Sequence, residues 1–159
     1  MNETLDTIMT DEDRNDLAQL QFLRKNLLKN IGIKNFIDMM RNIIDNCEKF
    51  EFTSATKRKF INEITPIFTI KLKDFKPLTA RQLNDKHYVD TEINRIVALV
   101  NDDILKHTSE EIIKLIENDE KLKEIYSNIN DDLKGLMWTT IYEIRVSVKD
   151  NIINVRYCI

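Results

Sequence analysis

Glycine, proline and cysteine are scarce in this 159-residue chain, with two of each. The glycine shortage excludes the most. Phosphate-cradling loops and hydrolase nucleophile elbows need glycine where the backbone takes positive φ or approaches a ligand closely. With Gly32 and Gly135 alone, a Walker loop, a dinucleotide fingerprint and a nucleophile elbow are all absent. Cys47 and Cys158 stand 111 positions apart, which gives neither a disulfide framework nor zinc-ligand spacing. They predict a reducing, cytoplasmic compartment. The two histidines, His87 and His107, lack a second ligand at metal-binding helical spacing, so no metal or other cofactor is expected.

Long apolar runs are missing too. None approaches the roughly 18 residues of a membrane span, and no membrane association is expected. The polar start, MNETLDTIMTDEDRND, is unlike a signal peptide. The terminal Tyr157-Cys158-Ile159 does not place cysteine fourth from the end, as prenylation requires. Net charge is −3, too small to drive the whole chain onto nucleic acid.

What is present describes a folded domain. A chain of this length buries roughly 68–70% of its unfolded surface and needs no metal or disulfide to hold it. Isoleucine (23), asparagine (16) and lysine (16) dominate, a bias that AT-rich codons produce. It suggests a low-GC bacterium, a phage, a large DNA virus or a protist. No repeat or low-complexity linker divides the chain. We expect a flexible segment over residues 1–10 and a single helical domain over 11–159, ending in a hairpin over 144–159.

Hydrophobic spacing supplies the elements. Thr10 and Asp13 predict a helix start, and Leu17, Leu20, Leu27 and Ile31 follow on one face until Gly32. Phe36, Met40, Ile44 and Cys47 mark a central helix. Ser54 predicts the cap of a short basic helix, ATKRKFINEI, stopped by Pro66. Phe68, Ile70 and Leu72 alternate with polar residues as a strand does. Thr79 caps a short helix, and Ile93, Ile96, Val97, Val100 and Ile104 form a helical stripe. Thr108 with Glu111 predicts a capping box for a separate helix. Asp119 and Asn130 open two more. Ile144, Val146 and Val148, then Ile153, Val155, Tyr157 and Ile159, alternate around an Asp150–Asn151 turn. The expected fold is α+β and predominantly α: six or seven helices around one core, with a C-terminal β-hairpin or a three-stranded antiparallel sheet.

Charge is segregated. Residues 1–16 carry net −5, residues 57–86 net +5 and residues 101–132 net −6. The basic stretch reads as a solvated face or as a patch for an acidic partner or nucleic acid.

Two resemblances concern that region. Arg81 and His87 have an R-x5-H spacing that resembles the R-x4–6-H element of HEPN-type ribonucleases, which implies a cleft where both residues meet RNA. The segment LTARQLNDKHYVDTEINRIVALV is similar to a helix-turn-helix, although Asn84 stands where alanine is usual and Tyr88 where glycine turns the chain. With a preceding strand and a C-terminal hairpin as wing, residues 55–105 resemble a degenerate winged-helix region. That likeness implies phosphate contacts from Lys57, Arg58, Lys59, Lys86 and Arg95.

No catalytic residue is singled out. Pairs such as Asp102–Asp103 are adjacent and point apart on a helix, so they do not aim two carboxyls at one point. The leading expectation is a non-enzymatic protein-interaction or assembly module, in keeping with a viral or phage accessory protein. Its partner would be a protein, or a second copy paired through the C-terminal strand as a sheet edge. The alternative is a nucleic-acid-binding regulator.

Overall fold

A computed structural model describes residues 10–60 and 63–159. Residues 1–9, most of the segment expected to be flexible, lie outside the described residues. Helix α1 (Asp11–Ile31) starts on a capping box in which Thr10 and Asp13 bond each other's backbone N–H. It buries Leu20, Leu23, Leu27 and Leu28. Gly32 then takes φ +83°, a conformation that ends α1 and lets α2 (Ile33–Asp45) leave in a new direction. Phe36, Met40 and Ile44 are the buried face of α2.

The chain next forms strands β1 (Phe50–Phe60) and β2 (Glu63–Leu72). This corrects the short basic helix expected from Ala55 to Ile64. Phe50 and Phe52 pair with Leu72 and Ile70, and a bulge at Thr53 re-registers the ladder so that Ala55 faces Phe68. Pairing with a strongly alternating partner outweighs the local helical preference of the Lys-Arg-Lys run. Pro66 does not stop the element. Its nitrogen faces away from β1, beyond the last β2–β4 pair at Ile67–Arg156, where no ladder donor is required.

Helix α3 is one turn (Ala80–Leu83), and Asp85 caps α4 (Lys86–Val100). The helix expected to restart at Thr108 does not restart. A π-helical stretch, Asn101–Leu105, carries α4 directly into α5 (Lys106–Glu117). Ile96, Val100, Ile104, Thr108, Ile112 and Ile116 are all buried, a strict four-residue step. Four residues overshoot an α-helical turn by about 40°, and a wider π turn absorbs the drift. The Lys106 N–H accordingly donates to the Asn101 carbonyl. Thr108, the supposed cap, is fully buried and its hydroxyl donates to the Ile104 carbonyl at 2.9 Å.

Helices α6 (Glu120–Ser127) and α7 (Asp131–Thr140) start on the side chains of Asp119 and Asn130. Strands β3 (Tyr142–Ser147) and β4 (Ile152–Tyr157) close the chain. The two-residue turn expected between them is a four-residue loop, because Ser147 pairs with Ile152. Asn151, at φ 52°, fastens that loop to β2 by bonding both the N–H and the carbonyl of Leu72, at 3.1 and 3.0 Å.

The sheet is antiparallel in the order β1-β2-β4-β3. The expected layout of two or three strands is therefore corrected to a mixed α+β fold with four. The C-terminal strand is also not an edge, since β2 and β4 pair alongside β3 and β4. It is thus not the free edge on which pairing with a second copy was expected.

One face of the sheet is buried. Phe68, Ile70, Ile153, Val155 and Tyr157 point into the core. Phe36 of α2 lies 5.9 Å from the Phe68 ring and 5.1 Å from the Tyr157 ring. Tyr157 reaches past it to donate to the Arg24 carbonyl at 2.9 Å.

The two glycines test this account of the backbone in opposite directions. Gly32 has room for a methyl group but sits at φ +83°, whereas Gly135 lies inside α7 with nothing within 4 Å of the place a methyl group would take. In urea unfolding, Gly32→Ala should destabilise by about 1 kcal/mol, and Gly135→Ala should stabilise by about 0.5–1 kcal/mol.

Candidate functional site: the open edge and outer face of the sheet

The far side of the sheet carries the alternate, polar residues. Thr56 and Arg58 of β1, Ile67 and Thr69 of β2, Asn154 and Arg156 of β4, and Glu143 and Arg145 of β3 line a shallow cavity of about 350 Å³. Glu143 accepts from Arg145 at 2.7 Å and from Arg156 across the β3–β4 ladder. Thr69 donates to Asn154 across the adjacent strands at 2.9 Å. Hydrogen bonding to Arg156, then to Arg145, holds the Glu143 carboxyl below the ordinary carboxylate range. No aromatic ring lines this cavity, so it lacks the stacking platform on which sheet-face binders seat single-stranded bases.

The edge beside it is long. β1 has 11 residues and pairs with β2 alone. The Lys73 N–H donates to the Lys49 carbonyl at 2.8 Å, which sets the phase of the ladder. Ser54, Thr56 and Arg58, opposite Thr69, Ile67 and Thr65, turn their backbone groups toward β2. The backbone groups of Ala55, Lys57 and Lys59 point outward. Among the described residues, no backbone hydrogen bond meets that edge.

The residues named from sequence are scattered. Lys57 and Lys59 project from one side of β1 and Arg58 from the other, because successive strand residues alternate. Lys86 opens α4, and Arg95 lies nine residues on, about half a turn away around the helix. Arg95 is held by Glu92 at 2.9 Å. Arg81 on α3 and His87 on α4 are both exposed and line none of the cavities described. The first helix of the winged-helix-like segment is the four-residue α3.

Other chemistry-bearing groups are structural in character. Cys47, Lys49, Asp103 and His107 surround a cavity of about 270 Å³ near the π stretch. Burial, then the Asp103 charge, pushes the Cys47 thiol up, which keeps it protonated at neutral pH and a weak nucleophile. Lys49 pairs loosely with Asp103 at 3.8 Å, and His107 lies 3.7 Å from Glu110. Among the described residues, no three histidine, cysteine or acidic side chains are placed to hold a metal ion. A larger, apolar groove of about 570 Å³ runs past Leu28, Gly32, Ile33, Ile64 and Ile159, with Lys25 and Lys29 at its rim.

Sequence reasoning missed the edge and the Glu143–Arg145–Arg156 triad. Alternation around residues 143–156 already turned these side chains outward. What it lacked was the strand order, which places them beside Thr69 and Arg58.

A family model described as Bacteriophage PBS1 gene 100 protein matches the chain over residues 1–159. No curated protein and no solved structure matches it.

The Glu143 arrangement has a pH signature. Its folded carboxyl titrates below its unfolded value, so its stabilisation is complete above the ordinary carboxylate range and fades as pH falls through the folded value. Urea midpoints of wild type and Glu143→Gln should differ at pH 7 and converge in strong acid. A difference that persists unchanged in strong acid would show that the ion pairs do not cause it.

Proposed function

The chain belongs to the Bacteriophage PBS1 gene 100 protein family, and from that premise we propose that this phage protein is a non-enzymatic protein-interaction module. The observation that carries this reading is the free outer edge of β1. A strand that exposes a row of unpaired N–H and carbonyl groups is a template for an added strand, with main-chain bonds supplying affinity. Three further features agree with it. Of the groups with raised or lowered pKa values, Glu143 and Arg156 share the outer-face cavity, where each is shifted by its hydrogen bond to the other, the mark of an ion pair and not of a group poised for proton transfer. Among the described residues no helix is long and apolar enough to cross a membrane. The Lys-Arg-Lys run and the bulge at Thr53 are devices that keep an exposed edge from indiscriminate pairing.

Lys57 offers a clean test, because its N–H points to the open edge. Lys57→Pro removes one outward donor and obstructs an incoming strand, yet proline is tolerated at such a position. Lys57→Ala removes the charge and leaves the edge intact. Cross-linking and recovery of tagged protein from phage-infected cells should yield a defined partner with wild type. Its yield should fall at least about tenfold with Lys57→Pro, equivalent to about 1.4 kcal/mol, and less with Lys57→Ala. A partner retained in full by Lys57→Pro would sink the edge reading.

A further inference from the structure

The far half of β1 is cationic on both of its faces. Lys57 and Lys59 lie across from Pro66 and Ile64 on one face, and Arg58 lies across from Thr65 on the other. None of the three β2 residues directly opposite these cations is acidic. All three are exposed, and among the described residues none forms an ion pair. A strand laid against the open edge places its own side chains directly opposite them, at roughly 4.5–5.5 Å between Cβ atoms, where opposite charges attract and like charges repel.

From this we infer that the occupant of the β1 edge is an acidic extended segment of a partner protein, carrying carboxylates at consecutive positions. The inference rests on the edge-pairing reading above and adds the chemistry of the partner. Consecutive acids are required because neighbouring strand residues face opposite sides, and cations stand on both. A second copy of β1, antiparallel and centred on Arg58, would set Lys57 against Lys59 of its twin and repel it. A nucleic acid strand would meet the charges but could not use the outward N–H and carbonyl ladder. Charge at the edge thus acts as a selector, admitting acidic strands and turning basic or apolar ones away.

The test uses two labelled peptides, TVEDEVT and TVKRKVT, and a labelled single-stranded DNA, titrated against the full chain by fluorescence anisotropy. The acidic peptide should bind, at least about tenfold more tightly than the basic one, and should weaken severalfold between about 50 and about 200 mM salt as screening shortens. Lys57→Glu/Lys59→Glu should weaken it at least tenfold, and Lys57→Pro should do the same without reversing charge. Lys57→Ala/Lys59→Ala, a milder change, should give an intermediate loss. Circular dichroism of each variant confirms that the fold is kept.

Failure of wild type to bind the acidic peptide at about 1 mM would overturn the inference. Capture of a partner that Lys57→Pro still abolishes would then leave the edge reading standing with a different occupant. Acidic-peptide binding that ignores Lys57→Pro would show surface adsorption without strand pairing and would also overturn it. So would tighter binding of the DNA, or a dimer by light scattering that Lys57→Pro dissolves.

Discussion

Phe36 is the side chain on which the arrangement of sheet and helices depends. Its ring meets Phe68 on β2 and Tyr157 on β4 at once, and through Tyr157 it is linked to Tyr142 on β3, 5.7 Å away. One aromatic on α2 thereby holds three strands by the same face. Buried rings of this size dominate the apolar area removed from water, so the covered side of the sheet is decided here. Everything on the opposite side follows from alternation. Residues between the buried ones turn to the other face, and apart from Ile67 those lining its cavity are threonine, asparagine, arginine and glutamate.

One-sided coverage also explains the open edge. Helices α1 and α2 and the long α4–α5 helix pack on the apolar face, and β3 and β4 extend the sheet away from β1. The interior strand β4 is fastened by Asn151 and Asn154 to β2, which leaves β1 outermost. A chain evolved only for stability would shorten such a strand. This one keeps 11 residues and protects the outer half with cations instead.

Much of the local structure was legible in the sequence. The caps at Thr10, Thr79, Asp119 and Asn130 are visible because short polar side chains bond nearby N–H groups whatever the tertiary fold. The alternation of Phe68, Ile70 and Leu72 marks β2 for a similar reason. Residues 55–60 were not legible, since a run of threonine, lysine and arginine has no period and its state is set by β2. Thr108 misled in the other direction. Its hydroxyl looks like a cap in sequence but bonds backward to Ile104 inside a continuous helix. Of the five basic residues from which the winged-helix likeness implied phosphate contacts, Lys57, Arg58 and Lys59 do belong to one feature, yet as a strand edge. Strand order is a non-local property, and neither the edge nor the Glu143 triad can be seen before it is known.

Amide hydrogen exchange along β1, followed by NMR, tests the central claim most directly. Slow exchange at Ser54, Thr56 and Arg58 alternating with fast exchange at Ala55, Lys57 and Lys59 is expected of an edge strand bonded on one side. Protection at all six amides would mean that the edge is already covered, and rapid exchange at all six would mean that β1 is not a strand; either result contradicts the open edge from which the proposed interaction follows.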